Sequence, residues 1–529
     1  MISKLLVQIK NITKKNRVIL LLCLIAIPSI FIRSHYILHK DPFNLDWTYS
    51  ASLIHLDTMS RDTTLKTILA PTLTYPGGAN HFIDSNSTNE PGLKGFVNSS
   101  GVYFYMSYPP LAFIAPFLIF SIFHIPIHII SLKFFALFIH ILSAFLIYKL
   151  LYELTKKEEI ALFSFSAYIY LPIALHWHTW IYFSDTAVHP FIIFGLYLLH
   201  KILVRQDDKK YLYIYALNLF LMCYTDWIGF IFAGVTILFL LFSKFRNNFI
   251  KIISANILVP VFAFGIIISQ YAYVIGGYTY FFNILWGKYV HGYSRGGAFT
   301  HFLDKIHTIE SHYGSILLVF LLFVFLFLVY AFTHKNKKEF DTPVREIISI
   351  PLFTVLIHHI VFFQWTSHMY HYYSVLKSMI FITIFISYVL YVFWYKLDFK
   401  EKRFFKGAIY VLFGFTYISS IYHYYQKVPQ VPKDYSSSYC AVAREMSTIA
   451  RSDQVIFIKD SVKQVHVYPL PTILPYCAKR NIEVFLSKES AKELLKKNKV
   501  KSGIVFTIQY SGEAINGFAD IIKVEEIKI

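Results

Sequence analysis

The chain is predicted to be an α-helical polytopic membrane protein that ends in a small C-terminal α/β domain. Of its 529 residues, 56% are hydrophobic and 19% aromatic but only 15% charged, a balance outside the range of soluble domains. Apolar runs long enough to cross a bilayer recur up to about residue 425. Beyond that point short strand and helix patterns alternate, which is typical of an α/β domain.

The positive charge of the chain indicates a membrane topology and not nucleic-acid binding. The formal net charge is +19, but most Lys and Arg residues fall in short gaps between apolar runs and form no separate basic stripe. Gaps rich in Lys and Arg face the cytoplasm. Their alternation places the N-terminus in the cytoplasm and residues 38–129 and 426–529 outside. We therefore expect a multi-pass protein of the cytoplasmic (inner) membrane that contacts membrane lipids and binds no nucleic acid.

Eleven apolar runs are predicted to be transmembrane helices. A further run, about 109–123, is predicted to be a juxtamembrane or re-entrant helix, because Pro109 and Pro110 suit a helix N-terminus and Pro116 and Pro126 interrupt the run. This assignment keeps the alternation of charged gaps intact. The spanning runs cover approximately 18–37, 130–152, 160–180, 186–204, 211–225, 228–243, 250–274, 314–333, 346–363, 374–395 and 405–423.

Residues 426–529 are predicted to form the α/β domain, joined to the membrane part (1–425) by the linker Val428–Pro432. The patterns predict strands at Val455–Lys459, Ile482–Phe485, Gly503–Ile508 and Ile521–Val524, and helices at Ser437–Ala450 and Lys488–Lys497. No Gly-rich phosphate-binding loop occurs in this domain. We therefore expect it to support the membrane part or to select substrate.

Two cysteines, Cys440 and Cys477, fall in this extracytoplasmic domain, where thiols oxidise and persist as disulfides. Closing a loop of about 37 residues contributes about 3 to 4 kcal/mol in the chain-entropy model. The bond requires Cα atoms within about 7 Å of each other, so the sequence leaves a disulfide and two free thiols as open alternatives. Cys23 and Cys223 lie inside apolar runs and are expected to pack as small apolar side chains.

A set of polar residues lies close to the predicted outer surface of the membrane, where ionisable groups are costly and are candidates for function. Each member also has a simpler possible role: Arg33 and Lys377 can extend to lipid headgroups, His176 and His178 can form hydrogen bonds at the interface, and Asp226 can cap the helix that follows it. If Arg33 contacts headgroups, Arg33→Ala is expected to affect donor binding less than substitution of the other cationic residues. The set consists of Arg33, His35, Asp46, Lys133, His176, His178, Asp185, Asp226, His368, His371 and Lys377.

A zinc site can be considered in this set, since His176 and His178 lie near Asp185 in the sequence. Their spacing is not that of a helix-borne ligand pair, which requires residues i and i+4 on one face. We therefore expect no metal and no other cofactor.

The first loop carries the residue best suited to catalysis. Asp46 follows the first apolar run and lies within about two or three helical turns of the membrane surface if the chain between them is helical. A carboxylate there, beside Trp47 and Tyr49, can be partly desolvated and act as a general base. The simpler alternative is that Asp41 and Asp46 solvate the loop or cap a surface helix.

Short motifs near the outer surface follow one another in a fixed order. They are Asp46-Trp47-Thr48-Tyr49, Tyr108-Pro109-Pro110-Leu111, Lys133, Asp185, the segment Trp286–Arg295 and His371-Tyr372-Tyr373. The ordered set, within about residues 15–425, resembles the GT-C glycosyltransferase superfamily, in particular the branch of protein mannosyltransferases, lipid A aminoarabinose transferases and rhizobial lipopolysaccharide sugar transferases. Two positions depart from its pattern, since Trp47 replaces a second acid and Tyr108 replaces a basic residue.

The resemblance implies a GT-C-like fold and an inverting glycosyltransferase that uses a polyprenyl-phosphate sugar as donor. The acceptor would be a glycan, lipid or protein on the extracytoplasmic side. Asp46 would be the general base and Asp185 a second catalytic residue. The residues expected to bind donor or substrate are Tyr49, Tyr108, Lys133, Asp226, His291, Arg295, His371, Tyr373 and Lys377.

A polytopic transporter or flippase of lipid-linked sugars is the alternative function. It would use the same interfacial charges to pass the lipid, but it has no evident need for a long first loop or a C-terminal α/β domain. An oligosaccharide ligase or polymerase usually has its large loop late in the chain, so it fits less well.

Overall fold

The computed structural model of the chain describes a discontinuous set of residues. They are 14–38, 47–61, 69–73, 75, 104–106, 108–204, 209–241, 249–279, 281–283, 286, 324, 342–361, 376–396, 402–427, 435–460, 473–485, 487–497, 499–511 and 518–529.

Helices account for most of the described residues up to 427, as the composition predicts. A π-helical turn, Val392–Lys396, directly continues the helix that ends at Tyr391. In chain order the helices are α1 (Lys14–Ile37), α2 (Trp47–Arg61), α3 (Leu111–Ile122), α4 (Ile129–Thr155), α5 (Glu158–Tyr170), α6 (Pro172–Trp180), α7 (Ser184–Ala187), α8 (His189–Val204), α9 (Lys209–Thr225), α10 (Ile228–Leu241), α11 (Phe249–Ile275), α12 (Thr342–Val361), α13 (Ser378–Tyr391) and α14 (Lys402–Lys427).

Several of these helices are long and apolar enough to cross a membrane. Within the described residues the spans are Asn16–Ser34, Ile129–Thr155, Ser184–Val204, Phe249–Ile275 and Ser378–Tyr395. Helices α5 and α6 meet the same criterion together, and shorter apolar helices lie at Leu111–Ile122, Ile228–Leu241, Ile347–Val361 and Tyr410–Tyr422. The chain is therefore a multi-pass membrane protein. The count of eleven spans stays a prediction, because the run 314–333 lies almost entirely outside the described residues.

The helix after Pro109 and Pro110 is too short to cross the bilayer. Helix α3 has 12 residues, Leu111–Ile122, which reach about 18 Å, whereas the hydrocarbon core is about 30 Å thick. The chain then leaves the helical conformation at Phe123. This length agrees with the juxtamembrane or re-entrant helix predicted here.

The predicted run 160–180 is not one straight helix. Its two halves, Glu158–Tyr170 and Pro172–Thr179, are inclined at 52° to each other. Pro172 has no N–H, so the carbonyl of Tyr168 cannot accept the usual bond from residue i+4. A break at this depth requires other donors for the freed carbonyl groups.

The first loop contributes helix α2, whose residues 48–56 are all buried. A helix that is buried on every side belongs to a core and not to a solvated surface. His55 of α2 accepts a hydrogen bond at Nδ1 from the backbone N–H of Thr72, 3.1 Å away. Thr72 in turn pairs with Phe104 in an antiparallel bridge. Described parts of the loop that are distant in sequence therefore pack together around α2.

Residues after 435 form a four-stranded sheet with helices, as the alternating pattern predicts. The elements are α15 (Tyr435–Ile449), β1 (Val455–Asp460), α16 (Ile473–Ala478), β2 (Ile482–Val484), α17 (Lys488–Lys497), β3 (Ser502–Ser511) and β4 (Phe518–Lys528). The strand order is β2-β1-β3-β4, with β1 parallel to β2 and β3, and β4 antiparallel to β3. The four predicted strands are all present, although β3 and β4 are longer than predicted. The domain boundary at 425/426 stays a prediction.

Cys440 and Cys477 form a disulfide between α15 and α16, with Cα atoms 5.1 Å apart. The alternative of two free thiols, which the sequence left open, is therefore excluded. Helix α16 was not predicted, because its six residues include Pro475. Proline is tolerated there because it lies in the first turn, where no intrahelical donor is needed.

Candidate functional site

A buried ion cluster forms where α7, the turn between α9 and α10, and the start of α13 meet. Lys377 Nζ lies 3.0 Å from Asp185 Oδ1 and 2.9 Å from Asp226 Oδ2. The same ammonium lies 3.1 Å from His358 Nε2 on α12. All three ammonium protons of Lys377 thus have acceptors, and its side chain is 1% exposed.

The short turn between α9 and α10 positions Asp226. Its Oδ1 accepts a hydrogen bond from the backbone N–H of Ile228 at 2.9 Å, which caps α10. The capping role considered for Asp226 is therefore confirmed, together with the ion pair. The backbones of α9 and α10 approach closely at this turn, since a Cβ on residue 229 would lie only 2.6 Å from the backbone nitrogen of Cys223. Glycine at 229 therefore permits the turn.

The cluster has two carboxylates for one ammonium. Asp185 Oδ2 is buried and has no hydrogen-bond partner among the described residues. A carboxylate oxygen without a donor in a buried position is costly. This oxygen is therefore available to accept a proton or a hydrogen bond from a bound molecule.

A second cation lies near the start of α2. Lys133, in the second turn of α4, donates from Nζ to the backbone oxygen of Tyr36 at 3.3 Å. Its ammonium lies 4.0 Å from the ring centroid of Tyr36 and 5.9 Å from that of Tyr49. Tyr49 is three residues after Asp46 in the sequence, so Lys133 is near the chain segment that follows the predicted base.

Two hydrogen bonds attach α2 to the segment that leads into α7. Tyr49 Oη donates to the carbonyl of Thr179 at 3.1 Å, and Ser52 Oγ donates to the carbonyl of Tyr182 at 3.3 Å. Asp185 follows Tyr182 by three residues. The start of α2 is thus bonded directly to the segment that leads into α7, the helix that carries Asp185 of the ion cluster.

Tyr108, before the Pro-Pro-Leu sequence, packs in the same region. Its ring lies 5.1 Å from the ring of Phe183 in an edge contact. Its backbone oxygen accepts a hydrogen bond from Tyr271 Oη on α11. Tyr108 therefore links the start of α3 to the residues that precede Asp185.

The chain matches known proteins by structure and not by sequence. No protein-family model and no curated protein sequence matches it. The oligosaccharyltransferase AglB of Archaeoglobus fulgidus, solved with an inhibitory peptide and a dolichol-phosphate, superposes with a TM-score of 0.55 at 12% identity, over 93% of this chain and 70% of that one. The same oligosaccharyltransferase with zinc and sulfate gives 0.55 at 13% identity, over 92% and 68%. ArnT of Cupriavidus metallidurans, bound to undecaprenyl phosphate, gives 0.51 at 10% identity, over 96% and 98%.

The chain has the GT-C fold. Both of the proteins that it resembles belong to the GT-C superfamily, so the resemblance predicted from its motifs is confirmed at the level of the fold.

The environment of Arg33 in this GT-C fold corrects the expectation that its side chain extends to lipid headgroups. Arg33 is fully buried, so it does not extend to lipid headgroups. Nη1 donates to His140 Nδ1 at 2.7 Å, and Nη2 donates to the carbonyl of Ile169 at 3.1 Å. His140 Nε2 lies 3.2 Å from the carbonyl of Tyr168. Arg33 and His140 thus supply donors at the break before Pro172.

Further histidines continue from this pair toward the ion cluster. The ring of His178 stacks on that of His140, with centroids 4.1 Å apart, and lies 5.1 Å from His189. Tyr168 Oη lies 2.5 Å from His189 Nδ1. Neither ring nitrogen of His178 has a hydrogen-bond partner among the described residues. His140, His189 and His358 were missed by sequence reasoning, although a histidine inside an apolar run is itself a signal.

Not all predicted site residues can be placed. Asp185, Asp226 and Lys377 come together, and Tyr49, Tyr108 and Lys133 lie in the adjoining region. Other positions lie outside the described residues: Asp46, His291, Arg295, His368, His371 and Tyr373, together with the side chain of His35. Within the part of the chain that is described, no group of three or more His, Cys, Asp or Glu side chains is arranged to hold a metal ion.

Proposed function

We propose that the chain is an inverting glycosyltransferase that transfers a sugar from a polyprenyl-phosphate donor to a glycan, lipid or protein acceptor. The observation that carries this proposal is the fold shared with ArnT along 96% of this chain and 98% of that one, since that structure holds undecaprenyl phosphate. The fold is also shared with AglB, whose structure holds a dolichol-phosphate. A lipid-linked phosphate is thus the ligand class common to both.

In the proposed reaction Asp46 takes the proton of an acceptor hydroxyl as its oxygen attacks the anomeric carbon. The new C–O bond forms on one face while the bond to the lipid-phosphate oxygen breaks on the other, so the configuration inverts. Asp185 would assist through its uncommitted Oδ2, which can accept a hydrogen bond from the acceptor.

The departing lipid phosphate needs cationic partners. Lys133, Arg295 and His371 are the proposed ones. Lys377 was expected to act in the same way, but its ammonium already has two carboxylates and a histidine as partners. We propose that Lys377 instead orders and neutralises Asp185 and Asp226. Arg295 should bind the phosphate more strongly than a lysine at the same position, because a guanidinium can hold two phosphate oxygens at once.

We further propose that transfer requires no bound metal. The support is that the Lys377 ammonium already supplies a positive charge between Asp185 and Asp226. Transfer by purified protein should then be unchanged after dialysis against EDTA. Loss of transfer in EDTA that returns with Mg²⁺, Mn²⁺ or Zn²⁺ would contradict this part of the proposal.

The orientation proposed from the charge pattern places the N-terminus in the cytoplasm of an inner membrane and residues 426–529 outside. The Cys440–Cys477 disulfide supports this, because disulfides persist in oxidising compartments. Alkylation of membrane-isolated protein without reductant, followed by mass spectrometry, should find both cysteines unlabelled. Rapid labelling of both from the cytoplasmic side would overturn the orientation.

The deciding assay mixes purified protein in lipid vesicles with a panel of radiolabelled polyprenyl-phosphate sugars and candidate acceptors. A transferase releases free lipid phosphate and labels the acceptor. A flippase moves the donor across the bilayer without releasing it. Asp46→Asn should abolish transfer while the protein still inserts and folds, and full transfer by this variant would remove Asp46 as the base.

A further inference from the structure

We propose that Asn481 and Tyr476, in the C-terminal segment 473–481, are positioning residues that hold helix α2 in place for the reaction. This inference rests on the proposed function, because α2 begins at Trp47, directly after the proposed base Asp46. The segment consists of helix α16 and the residues that connect it to β2. It contacts the first-loop region on one side and α15 on the other.

Asn481 binds the first loop through both atoms of its amide group. Its Oδ1 accepts a hydrogen bond from the backbone N–H of Tyr75 at 2.8 Å. Its Nδ2 donates to the backbone carbonyl of Tyr75 at 3.2 Å. Both residues are buried, so loss of the amide would leave a backbone donor and a backbone acceptor without partners.

Tyr476 contributes an apolar contact to the same junction. Its side chain is buried in one hydrophobic cluster with Tyr49, Leu53 and Leu56 of α2, and with Tyr75. An aromatic side chain of this size contributes a large apolar area to such a contact. The C-terminal segment is therefore part of the core that surrounds α2.

At the edge of the contact between the segment 473–481 and α2, the interactions are weaker than those of Asn481 and Tyr476. Lys479 Nζ lies 3.2 Å from Asp57 Oδ2 on α2, and the lysine side chain is 43% exposed. The same ammonium lies 4.1 Å from the ring centroid of Tyr476, but ion pairs and cation–π contacts of a partly exposed lysine contribute little. Lys479 therefore provides a control position in the same segment.

The other side of the segment is fixed to the C-terminal sheet region. The Cys440–Cys477 disulfide joins α16 to α15. Ser447 Oγ donates to the carbonyl of Ala478 at 3.0 Å, and Arg480 Nη1 donates to the carbonyl of Ala450 at 3.0 Å. The segment 473–481 is thus fixed to α15, and through its contacts with the first-loop region it sets the position of α2 relative to α15.

The consequence concerns the geometry of the reaction. Helix α2 is held near its start by Tyr49 and Ser52, which donate to Thr179 and Tyr182, and through Tyr75 by Asn481. A base must lie within hydrogen-bond reach of the proton it removes, and a displacement of about 1 Å can cost about 10²-fold in rate. Loss of the Asn481 and Tyr476 contacts is thus expected to lower kcat while the donor-binding cations stay in place.

The experiment compares Asn481→Ala with Lys479→Asn in the full-length protein in lipid vesicles. Asparagine is chosen at 479 because that residue has φ = 55°, a conformation that Asn tolerates. For Asn481→Ala we expect amide hydrogen exchange in residues 47–61 to become at least about tenfold faster, since a cost of about 1.4 kcal/mol is a factor of ten. We expect kcat to fall at least tenfold, with KM for the donor within twofold. For Lys479→Asn both quantities should stay within twofold.

A second pair keeps the test decisive if Asn481→Ala fails to fold. Tyr476→Ala should reproduce the faster exchange and the lower kcat, whereas Tyr476→Phe, which keeps the ring, should behave like the unmodified protein. Unchanged exchange in residues 47–61 for both alanine variants would overturn the proposal, as would faster exchange with unchanged kcat. If the unmodified protein transfers no sugar, the proposed function fails, while the exchange data still decide whether Asn481 and Tyr476 hold α2.

Discussion

Arg33 Nη1 donates a hydrogen bond to His140 Nδ1 across 2.7 Å, between residues that lie 107 positions apart in the sequence. The opposite ring nitrogen, Nε2, lies 3.2 Å from the carbonyl of Tyr168 and must carry the proton of the neutral ring. The carbonyl of Tyr168 is the group that Pro172 leaves without an intrahelical donor. The pair therefore closes a gap in the backbone hydrogen bonding at the bend between α5 and α6.

Replacing Arg33 should therefore destabilise the protein strongly. Arg33→Ala leaves His140 Nδ1 and the carbonyl of Ile169 buried without a donor, at about 1–3 kcal/mol for each group. Arg17→Ala on the same helix removes only an exposed ion pair with Glu158, in which the arginine is 52% exposed, and should cost at most about 1 kcal/mol. Thermal unfolding in detergent measures both. Equal melting temperatures for the two variants would contradict the role of Arg33 at the bend.

The sequence predicts the helical elements well because the signal for a span is local. Apolar runs, their lengths and the charged gaps placed the described spanning helices near their observed bounds, and the alternation of strand and helix patterns after residue 425 placed β1 to β4. Helix α2 in the first loop was not predicted. The bend within 160–180 was missed because Pro172 was interpreted as part of one run. The partner of Arg33 could not be found at all, since no local pattern connects it to His140.

The ion cluster provides a test of what Lys377 does. Lys377→Met should strongly destabilise the protein, because it leaves the carboxylates of Asp185 and Asp226 buried without a counter-ion. Adding Asp226→Asn removes one of the two negative charges while its Oδ1 can still cap α10. The double variant should then regain about 1–3 kcal/mol relative to Lys377→Met, as expected for coupled neighbours.

Donor kinetics separate this role from phosphate binding. If Lys377 binds the lipid phosphate, KM for the donor should rise in Lys377→Met and remain high in the double variant. If Lys377 neutralises the carboxylates, the second substitution should restore stability and part of kcat. A raised KM that Asp226→Asn does not change would argue against the counter-ion role.

For the candidate site, the sequence predicted residue types and missed their connections. Asp185, Asp226 and Lys377 were selected one by one as ionisable groups near the outer surface. Their mutual pairing joins positions up to 192 residues apart, since Lys377 contacts Asp185, and such pairing depends on how the helices pack. His358, the fourth member, was not selected, although a histidine inside the apolar run 346–363 is itself a signal.

Gly229 and Gly234 on α10 form a matched pair for testing the turn that carries Asp226. A Cβ on Gly229 would lie 2.6 Å from Cys223 N and 2.8 Å from Cys223 Cα, whereas one on Gly234 meets no heavy atom within 4 Å. Gly229→Ala should therefore force α9 and α10 apart, at about 1–3 kcal/mol or more, and weaken the Asp226–Lys377 pair. Gly234→Ala should leave the melting temperature unchanged or slightly raised. Comparable melting temperatures for both variants would show that the turn is not closely packed.

The last prediction concerns the contribution of His55 to the loss of stability at acid pH. Burial lowers the pKa of His55 to about 3, compared with about 6.5 in an unfolded chain. Between these values the unfolded state binds a proton that the folded state does not, so the free energy of unfolding falls as the pH is lowered through this window. At 1.36 kcal/mol per pH unit, this group should cost about 2 kcal/mol between pH 7 and pH 5. The measurement is thermal unfolding in detergent at both pH values.

The matched variant for this measurement is His55→Asn. Its Oδ1 can occupy the position of His55 Nδ1 and accept the hydrogen bond from Thr72 N, which is 3.1 Å away in the native protein. Asparagine does not titrate, so the contribution of residue 55 to the pH dependence should vanish. Other groups titrate in the same range, and their effect is common to both proteins and cancels in the difference. The unmodified protein should therefore lose about 2 kcal/mol more than His55→Asn between pH 7 and pH 5, and an equal loss in both would mean that His55 is accessible to protons in the folded state.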